Sequence, residues 1–137
     1  HSGEWATWLG GANDEISYIA QTVTVGSAES YLSYWRWVRS NEMDCVSDWA
    51  EVLVNNVQVD SYALCTGNNT TGWTLTSLDL SAYAGTSVTL TIKTELDGTA
   101  NSNLFIDDVG FAASPSAQTA APNQDPPFDV ASPKPNQ

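Results

Sequence analysis

At 137 residues, 42% of them hydrophobic and only 15% charged, the chain is sized for one domain with a proper core. Its four basic residues, Arg36, Arg39, Lys93 and Lys134, face sixteen acidic ones, for a net charge of −12. That balance argues against nucleic acid as a partner, because binding it requires Lys and Arg to displace counterions; it also disfavours an anionic membrane surface. It suits a secreted protein or one that binds cations.

No run of about 18 apolar residues is present, so no membrane-spanning helix is expected. No positively charged start leads into an apolar stretch, so the chain reads as a mature or excised piece.

In chain order the pattern has period two. The runs are EWATWLG (4–10), EISYIAQTVTV (15–25), ESYLSYWRWV (29–38), SDWAEVLVN (47–55), VQVDSYALC (57–65), GWTLTSLDL (72–80), the stretch around Val88, Leu90 and Ile92, and NLFIDDVGF (103–111). Breakers separate them at Gly10-Gly11, Gly26-Ser27, Ser40-Asn41, Asn55-Asn56, Gly67-Asn68-Asn69, Gly85 and Asp97-Gly98. Eight short strands rich in Val, Thr, Tyr and Trp, with no convincing helix, predict an all-β antiparallel sandwich. All six prolines lie between Pro115 and Pro135. Residues 1–111 are therefore expected to form the folded domain, and 112–137 a Pro/Ala/Ser-rich tail.

Asn55-Asn56 reads as a tight turn, because Asn tolerates positive φ. A two-residue turn there pairs positions whose numbers sum to 111, one more than Cys45 and Cys65. The two cysteines then come nearly opposite each other, which favours a disulfide and an oxidising compartment over two free thiols. They do not make a metal site alone, since there is no third cysteine and His1 is the only histidine.

On the third run, Leu32, Tyr34 and Val38 are expected to face the core. The other face displays Trp35 and Trp37 with Ser33, either as a stacking face for sugars or a second subunit, or under a covering loop or tail. Trp73 and Leu75 are expected in the core. Asn68-Asn69-Thr70-Thr71 holds two overlapping N-x-Thr sequons, which makes Asn68 and Asn69 candidate glycosylation sites.

SYIAQTVTV with SYLSYW (17–35), NEMDCVSDWAEVLVN (41–55), GWTLTSLDLSAYAGTSVTLTIKTELDG (72–98) and SNLFIDDVGF (102–111) together resemble the galactose-binding-like jelly-roll modules of secreted bacterial proteins. These include carbohydrate-binding modules and the MAM-like accessory domains of immune-inhibitor-A-type proteases. The resemblance implies a jelly roll, an extracellular or cell-surface location, and a cation near the acidic run and the Asp of IDDV. Members of this group usually open with a further strand that is missing here. Its nearest echo is NQDPPFDV in the tail, so Phe128 and Val130 become candidates for a strand donated to this domain or to a neighbour. A plain linker is the competing reading.

Calcium needs six to eight hard oxygen ligands. The candidate residues are Glu42, Asp44 and Asp48 around Cys45, Asp97 with the donor-rich Asn101-Ser102-Asn103 loop, Asp107, and a further acidic loop at Asn13-Asp14-Glu15. Solvated acidic loops are the alternative.

An enzyme is not expected. There is no internal histidine, no Cys–His pair and no Gly-x-Ser-x-Gly elbow. Asp107 and Asp108 are strand neighbours, so alternation points them to opposite faces: Asp107 with Phe105, Val109 and Phe111 towards the core, and Asp108 with Leu104 and Ile106 outwards. Two functions compete. One is a structural or adhesive subunit of a cell-surface assembly that joins copies of itself, as in a filament, through tail and aromatic face. The other is a carbohydrate-binding module of a secreted hydrolase or protease.

Overall fold

Alternation makes the strands. Along Ser87–Glu95, Val88, Leu90, Ile92 and Thr94 are buried while Ser87, Thr89 and Glu95 are exposed; along Trp49–Val54, Ala50, Val52 and Val54 are buried. Side chains that point alternately up and down let one face of each strand close on a core. The computed structural model describes residues 1–115. Its strands are β1 (Thr7–Gly10), β2 (Ile16–Thr24), β3 (Tyr31–Ser40), β4 (Trp49–Val54), β5 (Val57–Ala63), β6 (Thr74–Asp79), β7 (Ser87–Glu95) and β8 (Ser102–Ala112), with two single 3-10 turns between them.

These strands form two antiparallel four-stranded sheets, in the orders β1-β8-β3-β6 and β2-β7-β4-β5. Leu32, Tyr34, Val38, Val52, Ile92, Leu104 and Ile106 fill the space between them, each no more than 2% exposed. The expected inward face of β3 is therefore the observed one. Asn55 and Asn56 both take positive φ (51° and 65°), as a primed two-residue hairpin turn requires. Cys45 and Cys65 are joined with their Cα atoms 5.2 Å apart. The hairpin register slips by one between Val52 and Leu53, so the strand pairs above the slip sum to 112.

A second apolar layer lies on the opposite side of the first sheet. Trp35, Trp37, Trp73 and Phe105 cluster there, with Ala6, Trp8 and Leu75 packed against them. This corrects the picture of Trp35 and Trp37 as a displayed face, since each is only 6% exposed. Trp73 and Leu75 are inside, but in this layer and not between the sheets. The cover is the start of the chain. The His1 ring stacks on Trp35 at 3.8 Å and 11°, and Trp8 stacks on Phe105 at 5.9 Å. Two tryptophans stay outside, Trp49 at 37% exposure and Trp5 at 84%.

One seam of the sandwich is thinly closed. β1 pairs with β8 only from Asn103 to Ile106; beyond that, among the described residues, β8 has a strand on its β3 side alone. β2 is one edge of the other sheet, and its inward-facing Ile19 and Val23 are only half-buried. Between these edges lies an apolar groove of about 320 Å³, lined by Ile19, Val23, Leu90, Ile92, Val109 and Phe111 among others.

Candidate functional site

Two loops meet at the disulfide end of the sandwich, the β3–β4 loop with Glu42 and Asp48 and the β7–β8 loop with Asp97, and place one carboxylate oxygen of each acid within 4.8 Å of the others. Backbone hydrogen bonds fix this corner: Leu64 N–H donates to the Asp48 carbonyl (2.8 Å) and Thr66 N–H to that of Glu42 (2.7 Å). Cys65, between those two donors, is bonded to Cys45, which lies between the two acids in sequence. The disulfide thus ties the acidic loop to the end of the β4–β5 hairpin.

Asp48 is fully buried and Glu42 is 5% exposed. Asp48 accepts from the Asp97 N–H (2.9 Å) and from Ser102 Oγ (2.5 Å), and Glu42 accepts from the Asp44 N–H (3.2 Å) and Thr99 Oγ1 (3.1 Å). Among the described residues no Lys or Arg forms a salt bridge with any of the three acids. Burial pushes the Asp48 carboxyl above its usual range, the Asp97 and Glu42 charges push the same way, and the bonds from Ser102 and Asp97 N–H oppose them. Glu42, Asp48 and Asp97 are the residues here that could offer hard oxygens to one cation.

Asp44 does not join this group. Its carboxylate turns outward, accepting from Val46 N–H (2.9 Å) and Ser47 Oγ (3.0 Å), and those bonds hold its pKa low. The Asn13–Glu15 loop packs alongside instead: Asp14 N–H donates to the Asp97 carbonyl (2.7 Å) and Asn13 Nδ2 to that of Gly98 (3.2 Å). In the same region the buried Asn101 Oδ1 has no protein partner.

Asp107 lies elsewhere, and here strand alternation misled. Asp108 takes φ 50°, and the pairing of β8 with β3 shifts register between Ser33 and Trp35. That bulge inserts an extra residue and reverses the parity of the strand beyond it. Before the bulge, Leu104 and Ile106 face the inter-sheet core, while Phe105 and Asp107 face the tryptophan layer. After it, Phe111 packs against the inter-sheet core. The expectation therefore fails for Leu104 and Ile106, which face inwards, for Phe105, which lies in the second layer, and for the exposed Val109; it holds for Phe111, and the two acids do not point apart.

Both carboxylates converge on His1. The α-amine of His1 pairs with Asp107 Oδ2 at 2.6 Å, and His1 Nδ1 lies 2.5 Å from Asp108 Oδ2. Ser2 donates its N–H to Asp107 (3.0 Å) and its hydroxyl to both oxygens of Asp108 (2.8 Å). Beside them opens a shallow cavity of about 260 Å³ whose wall includes Trp5, Ala6, Asp107 and Asp108. Sequence reasoning missed both His1 and Trp5, because a lone histidine has no spacing to read and one tryptophan among six has no mark of exposure.

Asn68 and Asn69 are exposed, but their amides are in use. Asn68 Nδ2 donates to the Ala63 carbonyl (3.0 Å); Asn69 accepts from Ser40 N–H (2.6 Å) and donates to the Ser40 carbonyl (3.0 Å). Phe128 and Val130 fall outside the described residues. No helix among the described residues is long and apolar enough to cross a membrane. No protein-family model matches the chain, and no curated protein matches it either.

Proposed function

We propose that this chain is a non-catalytic, extracellular or cell-surface subunit that assembles with copies of itself, the tail of one copy adding a strand to the groove of the next. The observation that carries this reading is the open seam: a stretch of β8 edge that no strand among the described residues pairs, beside an apolar groove of about 320 Å³. Strand addition uses these two features, main-chain bonds for affinity and pockets for alternate side chains for register. The 22 residues after Pro115 begin just beyond Phe111, which lines the groove. They contain Phe128 and Val130, two apart and thus on one side of an extended strand. The 12 residues between Pro115 and Phe128 span up to roughly 40 Å when extended, enough to reach a neighbour. Proline fits an edge strand of this kind better than a central one.

The strand orders β1-β8-β3-β6 and β2-β7-β4-β5 support a jelly roll of the galactose-binding-like type. The Cys45–Cys65 disulfide agrees with secretion. Structural calcium at Glu42, Asp48 and Asp97 is part of the same proposal.

A second reading, a carbohydrate-binding module, has one specific observation in its favour. Trp5 is 84% exposed beside a cavity that includes two carboxylates, and an open aromatic ring next to hydroxyl acceptors suits a sugar. Light scattering and electron imaging of the full chain and of a chain ending at Pro115 separate the two readings. Assembly predicts oligomers or filaments that the shorter chain fails to form. A monomer retained on a polysaccharide column, and released by Trp5→Ala, reverses the order.

A further inference from the structure

We propose that His1, Asp107 and Asp108 form a binding site for a divalent first-row transition metal of the zinc or copper(II) kind, opening onto the cavity beside Trp5. The donor set is an imidazole nitrogen and two carboxylates. Imidazole draws zinc, copper and nickel, whereas the all-oxygen trio at the other corner suits calcium. The two carboxylates bring two negative charges to the site, one of them already facing the His1 α-amine at 2.6 Å.

The spacing fits as well. One donor atom from each residue lies within 4.8 Å of the others, and Nδ1 and the Asp108 oxygen are 2.5 Å apart. Two ligands on bonds of about 2.0 Å stand roughly 2.8 Å apart at the right angles of copper(II) and roughly 3.3 Å apart at the tetrahedral angle of zinc. An ion can therefore take the place of the proton between them with an outward shift of roughly 0.3 Å for copper(II) and roughly 0.8 Å for zinc.

The donors are held before any ion arrives. Stacking on Trp35 and an edge contact with Trp73 at 6.5 Å fix the imidazole plane, and the His1 side chain is only 5% exposed. Ser2 holds both carboxylates through its N–H and hydroxyl, and the Asp108 N–H donates to Asp107 Oδ1 at 2.8 Å. Such outer bonds orient metal ligands and set their basicity. Asp108, at 36% side-chain exposure, borders the cavity, which leaves the remaining coordination positions open to water or to a bound ligand.

The stack supplies the readout, because bound copper(II) quenches nearby indole emission. Titrating copper(II) into the full chain should quench tryptophan fluorescence at one equivalent, with zinc competing and calcium without effect. Asp108→Asn and His1→Gln, each checked for native near-ultraviolet circular dichroism, should bind copper at least fivefold more weakly. Asp48→Asn should bind it as the parent does. No saturable quenching at one equivalent, or a weakening of less than fivefold in both folded variants, overturns the proposal.

Discussion

Asp48 is the residue whose protonation state the fold bears on most. It is fully buried, its neighbours Glu42 and Asp97 are both acidic, and its pKa is raised mainly by burial. A raised carboxyl pKa means that the native state holds the proton more tightly than the unfolded chain. In chelator, stability through this group is therefore greatest at acid pH and falls as pH rises from the ordinary carboxylate range through the raised value. Asp48→Asn should remove that slope and leave the chelated protein at least as stable at neutral pH. Calcium inverts the sign, since it needs the ionised form. Calcium at a hundredfold its Kd should stabilise the parent by about 2.7 kcal/mol, a rise of several degrees in Tm, and the rise should vanish in Asp48→Asn. Calorimetry with calcium and with chelator measures both effects. The acids at positions 42, 48 and 97 were legible as oxygen donors, but which of them would meet was not. Asp44 shares their composition and spacing, and only its bonds to Val46 and Ser47 turn it away.

At the scale of elements, local chemistry read true wherever a turn or an alternation decided the outcome. Asn55-Asn56 set the hairpin and brought the cysteines to bonding distance, despite the one-residue slip between Val52 and Leu53. The disulfide closes a sequence separation of 20, and its removal in Cys45→Ser/Cys65→Ser should cost about 3 kcal/mol in denaturant melts. Because the bond also braces the Glu42–Asp48 loop, the calcium-dependent rise in Tm should shrink in the same variant. Alternation failed in two places for physical reasons. On β3 it gave two apolar faces but could not say that residues 1–8 would return to cover the second. On β8 a single residue at positive φ reversed the parity, a choice that tertiary packing makes and composition does not encode. The tryptophan layer is structural in consequence: Trp35→Ala should cost about 3–5 kcal/mol, where substitution of a displayed residue would cost little.

For the whole molecule, eight strands and two sheets followed from period-two runs and breakers, and the edges did not. Which strand ends a sheet, and whether its inner residues are covered, depends on how the runs pair in space. The half-buried Ile19 and Val23 on β2, and the edge of β8 beyond Ile106 that is unpaired among the described residues, appear only once the sheets are assembled. Exposed sheet edges invite pairing with other chains, and an apolar groove alongside directs which strand enters. Val23→Lys, placed in that groove, should reduce assembly of the full chain while leaving the domain folded, as light scattering and circular dichroism together would read. The most direct measurement is hydrogen exchange at the β8 amides from Val109 to Ala112, in the full chain across a range of concentrations. Those amides that do not bond to β3 should become protected as concentration rises, and should exchange freely in a chain ending at Pro115. Rapid exchange at every concentration would contradict strand addition at this seam.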